Sequence, residues 1–289
     1  MTPDITVVIG PTAIGKSDYA VQLALETGAH ILSADAFQIY RHLDIGTAKP
    51  SLAQRQAVPH HLIDELEPTE PYSVAHFLEK TAALISTLRQ ARKPIVICGG
   101  TGLYLQAFLN QYTLSPTPTH DPAIRKELEI EAAMNGEQAL WERLQQLDPD
   151  AASAIHPQNL KRVMRALEFF TLTGTQISQA QPKTQQQRDD VRLIGLTADR
   201  PIVVDRIEKR IDAMMAEGLV QEVETLLKTY PPTLNAFEAI GYKETIAYLH
   251  GDIGYQEMLD WIKARTRQFS KRQMTWFKRF NHVHWIRIS

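Results

Sequence analysis

A glycine loop of the form G-x-x-x-x-G-K-S, running Gly10-Pro11-Thr12-Ala13-Ile14-Gly15-Lys16-Ser17, constrains this chain more than any other stretch. It follows an apolar run from Ile5 to Ile9 and opens an amphipathic segment, so the strand, loop and helix order that the motif requires is present. Two glycines let the backbone curl until successive N–H groups point inward, and the helix beginning at Lys16 adds the positive end of its dipole. Such a cradle selects a di- or triphosphate. Lys16 would neutralise phosphate charge, and the Ser17 hydroxyl would ligate a Mg2+ ion bridging the phosphate oxygens.

The rest of the chain alternates around that loop. His30 to Ala34 reads as a second strand ending at Asp35, Val74 to Ala91 as a helix, and Pro94 to Cys98 as a third strand closed by Gly99-Gly100, with a helix from Leu103. Residues 36 to 72, punctuated by Gly46, Pro50, Pro59, Pro68 and Pro71, read as irregular. From Gln111 to Asp190 strand signals vanish and successive helices follow, begun by Asp121-Pro122 and separated by Asn135-Gly136, Asp148-Pro149 and His156-Pro157. Gln176 to Gln187 looks like a linker back to a strand at Val191 to Leu196. Helices are expected over Pro201–Glu217, Leu219–Lys228, Ala239–Leu249 and Tyr255–Arg279, with an alternating edge strand from Val283 to Ile288. The expected fold is α/β: a parallel sheet core with an inserted all-helical subdomain.

Composition narrows the setting. The single cysteine, Cys98, excludes an internal disulfide framework, and no leader or apolar run near twenty residues is visible, so a soluble cytoplasmic protein without membrane contact is expected. A formal net charge of -2 hides an asymmetry: Lys263 to Ser289 holds eight Lys or Arg and no Asp or Glu, against totals of 31 and 33. A polyanion would dock on that local surplus.

The chemistry is equally uneven. Hydrolases place an acidic residue at the end of a strand beside the phosphate loop, yet Ile95-Val96-Ile97-Cys98 runs into Gly99-Gly100-Thr101. The reading therefore favours an enzyme for which diphosphate is a leaving group, or a small kinase with an unusual metal site. Asp35, at the end of the second strand, either accepts a proton or holds the metal; the alternative is a helix N-cap after the strand. Thr101 either donates into the same crevice or caps the next helix. On the C-terminal helix Ile262, Phe269, Trp276 and Phe280 share one face, with Arg265, Arg272 and Arg279 in a stripe beside it. Arg162 and Arg165, with Lys161, repeat the theme on a helix whose Val163, Leu167 and Phe170 face inward. Arginines in such positions fork onto phosphates, although a solvated charged face is the commoner explanation. His60-His61 lacks ligand partners at zinc spacing.

Taken in order, these residues resemble the tRNA dimethylallyltransferase (isopentenyltransferase) family over nearly the whole chain. The signatures are the Gly10–Ser17 loop, Ser33-Ala34-Asp35 with Gln38 to Arg41, Asp44 to Pro50, Val58 to Asp64, Gly99 to Tyr104, Asn159 to Glu168, Ile240 to Glu244, and Thr266-Arg267 with Lys271 to Phe277. The resemblance implies transfer of a dimethylallyl group from dimethylallyl diphosphate to the exocyclic amine of the adenosine 3′ of the anticodon, assisted by Mg2+. It implies a core like that of the small phosphate-loop nucleotide kinases (1–110 and 191–289) and a helical insertion (111–190) that grips the anticodon stem-loop. By similarity Asp35 is the general base and Thr101 hydrogen-bonds beside it. Gly10, Pro11, Thr12, Ala13, Ile14, Gly15, Lys16 and Ser17 hold the diphosphate, with Arg210 as a further contact. The tRNA would meet Asp35, Ala36, Phe37, Gln38, Thr101, Lys161, Arg162, Arg165, Arg265 and Arg272. A monomer on tRNA is expected, since nothing in the sequence marks a symmetric apolar patch. Ala36 stands where many relatives carry Ser, and Ser17 where Thr is common. The rival readings are a phosphate-loop small-molecule or nucleotide kinase, and a nucleic-acid-binding module regulated by its nucleotide.

Overall fold

The structure is a computed structural model that describes residues 4–112, 121–180 and 187–289. It divides into two compact units, Met1–Gln111 with Gln187–Ser289, and Tyr112–Gln186. The sequence puts the second join at 190/191; Gln187 to Asp190 instead lie with the first unit. The reason is local: the Arg188 amide donates to the Leu109 carbonyl at 2.7 Å, and its guanidinium lies 4.7 Å from the Phe108 ring centroid. Half of the expected linker, residues 181–186, lies outside the described residues.

The first unit begins with β1 (Ile5–Ile9), α1 (Lys16–Thr27), β2 (His30–Ser33), α2 (Leu52–Ala57), β3 (His60–His61), α3 (Val74–Gln90), β4 (Ile95–Cys98) and α4 (Gly102–Leu109). The second unit carries α5 (Pro122–Asn135), α6 (Glu137–Leu147), α7 (Pro149–Ala154), α8 (Leu160–Thr173) and α9 (Ile177–Ala180). The chain then completes the first unit with β5 (Val191–Thr197), α10 (Arg200–Glu217), α11 (Leu219–Leu227), α12 (Tyr242–Leu249), α13 (Tyr255–Phe277) and β6 (His284–Arg287).

Strands in the order β3-β2-β4-β1-β5-β6 form one six-stranded sheet, parallel throughout. Continuous apolar strands suit it, because side chains of alternate parity enter two different cores. Ile5, Val7 and Ile9 join one cluster with Ile95 and Ile97, while Val8 joins the other with Val96 and Cys98. The second unit has its own core of Leu128, Leu140, Leu144, Val163, Met164 and Leu167.

Two regions depart from the sequence reading. The stretch 36–72 is not wholly irregular: Ser51 and Gln54 form a reciprocal capping box that starts α2, and β3 pairs with β2 as an edge strand. Two residues are too few to carry a period-two signal. His61 also finds a partner that the sequence did not suggest, since its Nε2 lies 3.0 Å from His30 Nδ1, one imidazole donating to the other. On α13 the buried positions are Met258, Ile262, Ser270, Gln273 and Phe277, whereas Phe269 and Trp276 are only half-buried. The helix presents a partly polar inner face, which a search for apolar periodicity does not see.

Four side chains fasten the foot of the sheet. Arg89 bonds Asp4 at 2.6 and 2.9 Å and Asp190 at 2.9 Å, and Arg188 bonds Asp190 at 2.8 and 2.7 Å. The Arg188 and Arg89 guanidiniums hold the Asp190 carboxyl well below the usual carboxylate range, against an opposing contribution from burial. A depressed carboxylate pKa stabilises above the unfolded value, and that contribution disappears as pH falls through the folded one. Asp190→Asn is therefore expected to lower the melting temperature at pH 7 by a few degrees, about 1 kcal/mol after solvent screening. The gap to the parent protein should close in acid, as read by a thermal melt at each pH.

Candidate active site

Because the strands run parallel, the turns after β1, β2 and β4 all emerge at the carboxyl edge of the sheet, where open α/β sheets bind ligands. The phosphate loop follows β1, Asp35 follows β2 and Thr101 follows β4. The loop needs its second glycine, since Gly15 has φ +97° while a side chain there would meet no atom within 4 Å. Backbone conformation, not crowding, excludes other residues. Lys16 folds back to donate to the Pro11 carbonyl at 2.8 Å, and Arg210 of α10 donates to Thr12 Oγ1 at 3.3 Å. Arg206, one helical turn earlier, donates to the Ile14 carbonyl at 3.1 Å.

Asp35 closes the turn after β2, accepting from the Phe37 amide at 2.9 Å and the Gln38 amide at 3.4 Å. It caps a turn; no helix follows there. The Thr101 hydroxyl does not cap α4 either. It accepts from the Ala36 amide at 3.0 Å, which leaves its own proton for the crevice. The β2 and β4 turns approach so closely that a Cβ on Gly99 would lie 2.2 Å from the Ala34 carbonyl oxygen.

The electrostatics join these groups into one site. Burial pushes the Asp35 carboxyl up, opposed by the Phe37 and Gln38 amides and by the charges of Lys16 and Arg210. Burial likewise pushes the Lys16 ammonium down to about 8; Arg210 adds to that shift, while Cys98 and Asp35 resist it. The Arg210 guanidinium is lowered by burial and supported by Asp35. Cys98, pushed up to about 11 by burial, stays a thiol.

Other side chains hold the walls. Gln38 is engaged structurally: its amide donates to the Thr47 and Ala48 carbonyls at 3.2 Å and accepts from Ser33 Oγ at 2.9 Å. The tRNA contact expected of Gln38 would have to replace these bonds if made through its amide. Glu222 of α11 clasps the same loop, accepting from the amides of Asp44, Ile45 and Gly46 and from the Tyr242 hydroxyl. Beside Arg210 lies a cavity of about 450 Å³ whose lining includes Lys49, Leu52, Arg55 and Met214. Glu222, Arg206 and Gln273 were not legible as site residues. The signal for Gln273 was an amide on the inner face of a helix, where a buried polar group requires partners.

The basic residues differ from the expected free stripe. Arg265 is committed to the buried Glu244, Nη1 to Oε1 at 2.6 Å, and lies 5.2 Å from the Trp261 ring centroid. Arg272 and Lys271 are exposed on α13. On α8, Lys161 and Arg162 are exposed, and Arg165 lies 3.7 Å from the buried Glu168. Val163 and Leu167 are buried as expected, whereas Phe170 is half-buried.

The cradle suits an anion together with a divalent cation. Among the described residues Lys16 and Arg210 face the loop without a bound carboxylate, and no hydrogen bond engages the Ser17 hydroxyl. Ser17 would be the protein's ligand to Mg2+. Among the described residues no helix is long and apolar enough to cross a membrane.

Residues 38–280 match the family described as IPP transferase. A tRNA dimethylallyltransferase of Alkaliphilus oremlandii is 41% identical over 100% of this chain and 93% of its own. One from Lacticaseibacillus casei is 45% identical over 98% and 90%. Among solved structures, a tRNA isopentenylpyrophosphate transferase of Bacillus halodurans superposes with a TM-score of 0.72 at 38% identity, covering 99% of this chain and 90% of that one. A eukaryotic dimethylallyltransferase solved acting on tRNA gives 0.81 at 26% identity, covering 98% and 73%. With a family match across most of its length and full-length relatives above 40% identity, this chain belongs to the IPP transferase family.

Proposed function

We propose that this protein transfers a dimethylallyl group from dimethylallyl diphosphate to the exocyclic amine of the adenosine 3′ of the anticodon in tRNA. The observation that carries the reading is the meeting of a phosphate loop, two half-buried cations and one desolvated carboxylate at a single sheet edge. The amine nitrogen forms a bond to the allylic carbon as the carbon–oxygen bond breaks. The electron pair leaves with diphosphate, and the amine proton passes to Asp35.

Each group has a physical task. The loop amides, Lys16 and Arg210 stabilise the charge developing on diphosphate, and Asp35 with Thr101 aligns a conjugated, weakly nucleophilic amine. Mg2+ bound at Ser17 would supply further charge neutralisation on the leaving group. The cavity beside Arg210 offers donor-sized space whose lining mixes apolar side chains with the cations Lys49, Arg55 and Arg210 and the carboxylates Asp44 and Glu217. Lys161, Arg162, Arg165, Arg265 and Arg272 are proposed to contact the RNA backbone, Arg265 by exchanging its ion pair with Glu244 for a phosphate. The target base must leave its stack to reach Asp35. Ala36, Phe37 and Gln38 would line its approach. The protein is proposed to act as a monomer in the cytoplasm.

The test supplies radiolabelled dimethylallyl diphosphate and unmodified tRNA with Mg2+, and in parallel labelled ATP and tRNA. Label entering RNA from the first mixture is expected. Phosphate transfer from ATP with no prenylation would overturn the reading in favour of the kinase, against which the named relatives already weigh. RNA affinity should fall steeply with salt.

A further inference from the structure

Gln273 has no part in the chemistry above, yet it is placed at the centre of the site. Its side chain, on α13 and only 4% exposed, lies between two turns of the carboxyl edge. Oε1 accepts from the Thr12 amide at 2.8 Å, and Nε2 donates to the Gly100 carbonyl at 2.9 Å. One amide thus joins the crest of the phosphate loop to the turn after β4, spanning 261 positions of sequence.

The crest is where the loop is least able to hold itself. Ala13 sits at φ +62°, in the left-handed region that a residue with a Cβ avoids. Conformations of this kind persist where neighbouring contacts over-determine them. Thr12 is gripped on two sides, by Gln273 at its amide and by Arg210 at its hydroxyl. Gly100 carries a matching mark. Its φ lies outside the left-handed range, so its backbone tolerates alanine, but a Cβ there would lie 2.4 Å from Gln273 Nε2. The space that a side chain would need is taken by the clamp.

We propose that Gln273 is a positioning residue for the anion cradle: by holding the Thr12 amide it keeps the Thr12–Ala13 crest in its left-handed turn, with the following amides convergent on diphosphate. This rests on the reading that the loop binds the donor's diphosphate. Without the clamp the crest relaxes toward ordinary backbone angles. Binding must then restore the turn, and affinity falls by the fraction of loops already competent.

The experiment titrates inorganic pyrophosphate with Mg2+, by calorimetry at 25 °C, into the parent protein, Gln273→Leu, Gly100→Ala and the double variant, with a thermal melt of each. Either single change is expected to weaken pyrophosphate about tenfold, or about 1.4 kcal/mol. The double variant should bind no more weakly than the poorer single, because both changes break one clamp. Gly100→Ala keeps the glutamine and displaces only the far end of a flexible side chain, so the question survives if Gln273→Leu fails to fold. Variants that melt lower but bind pyrophosphate like the parent would show that the amide merely supports the scaffold, and would overturn the inference alone. Additive losses would also overturn it. A parent protein that binds no pyrophosphate would first remove the diphosphate reading, and the inference with it.

Discussion

Asp35→Asn is expected to reduce the rate of prenyl transfer at saturating substrates by about 10²- to 10⁴-fold, the range for loss of a positioned general base. Affinity for tRNA should be retained. Asparagine is the informative replacement because its Oδ1 can still accept from the Phe37 and Gln38 amides, now 2.9 and 3.4 Å from the aspartate oxygen. The turn then survives while the proton acceptor is lost. Asp35→Ala confounds the two, since it also strips the turn of its acceptor. The pH profile gives an independent reading. Burial raises the Asp35 pKa, so the acid limb of kcat/KM should lie above that of an ordinary aspartate. Single-turnover assays with donor in excess, across pH, measure both quantities. Undiminished single-turnover prenylation by Asp35→Asn would remove the carboxylate from the mechanism.

Lys16→Met should be nearly as damaging, about 10²- to 10³-fold in kcat, as when one preorganised group facing developing negative charge is lost. Its sharper consequence is alkaline. Burial lowers the ammonium to about 8 from a model-peptide value near 10.5, so the empty loop begins to lose this charge just above neutrality. Diphosphate favours the charged form, and binding above pH 8 must then take up a proton. Pyrophosphate affinity should decline by up to about tenfold per pH unit there. The same linkage sets the sign for stability. From about pH 8 to 10.5 the unfolded chain holds the proton more tightly than the folded one, so Lys16 destabilises the fold at neutral pH and that penalty is relieved as pH rises. Pyrophosphate's own ionisation contributes to the profile, so the diagnostic quantity is the difference between parent and Lys16→Met. An alkaline decline of equal slope in both would assign the effect to the ligand.

Both positions stand out as candidates in the chain itself, for a shared reason. A phosphate loop is a local object: strand, glycines, lysine and helix start are contiguous, and the apolar run before them declares the strand. Asp35 was visible because it stands at the end of a second such run. The sheet edge then followed from the alternation of strands and helices, since parallel strands joined by crossovers bring their carboxyl ends together. Failures of the reading share a cause too. β3 is two residues long, too short for any periodicity. The expected inner face of α13, built from aromatic spacing, missed Ser270 and Gln273, because a polar side chain is buried only when a distant partner satisfies it. Arg265 was read as free charge because its partner, Glu244, lies on another helix.

The sequence alone determined the phosphate-loop motif, the parallel core, the run of helices between its two parts and the carboxylate at the end of the second strand, since each depends on neighbours in the chain or on the side-chain period of one element. Tertiary structure decided which groups hold these in place: Gln273 on the Thr12 amide, Arg210 on the Thr12 hydroxyl, Glu222 on the 44–46 amides, and the desolvation that moves Lys16 and Asp35 toward each other in pKa. Hydrogen bonds and burial between residues more than a hundred positions apart leave no periodic trace in sequence. They exist only once the sheet has ordered its strands and the last long helix has laid its inner face across their ends.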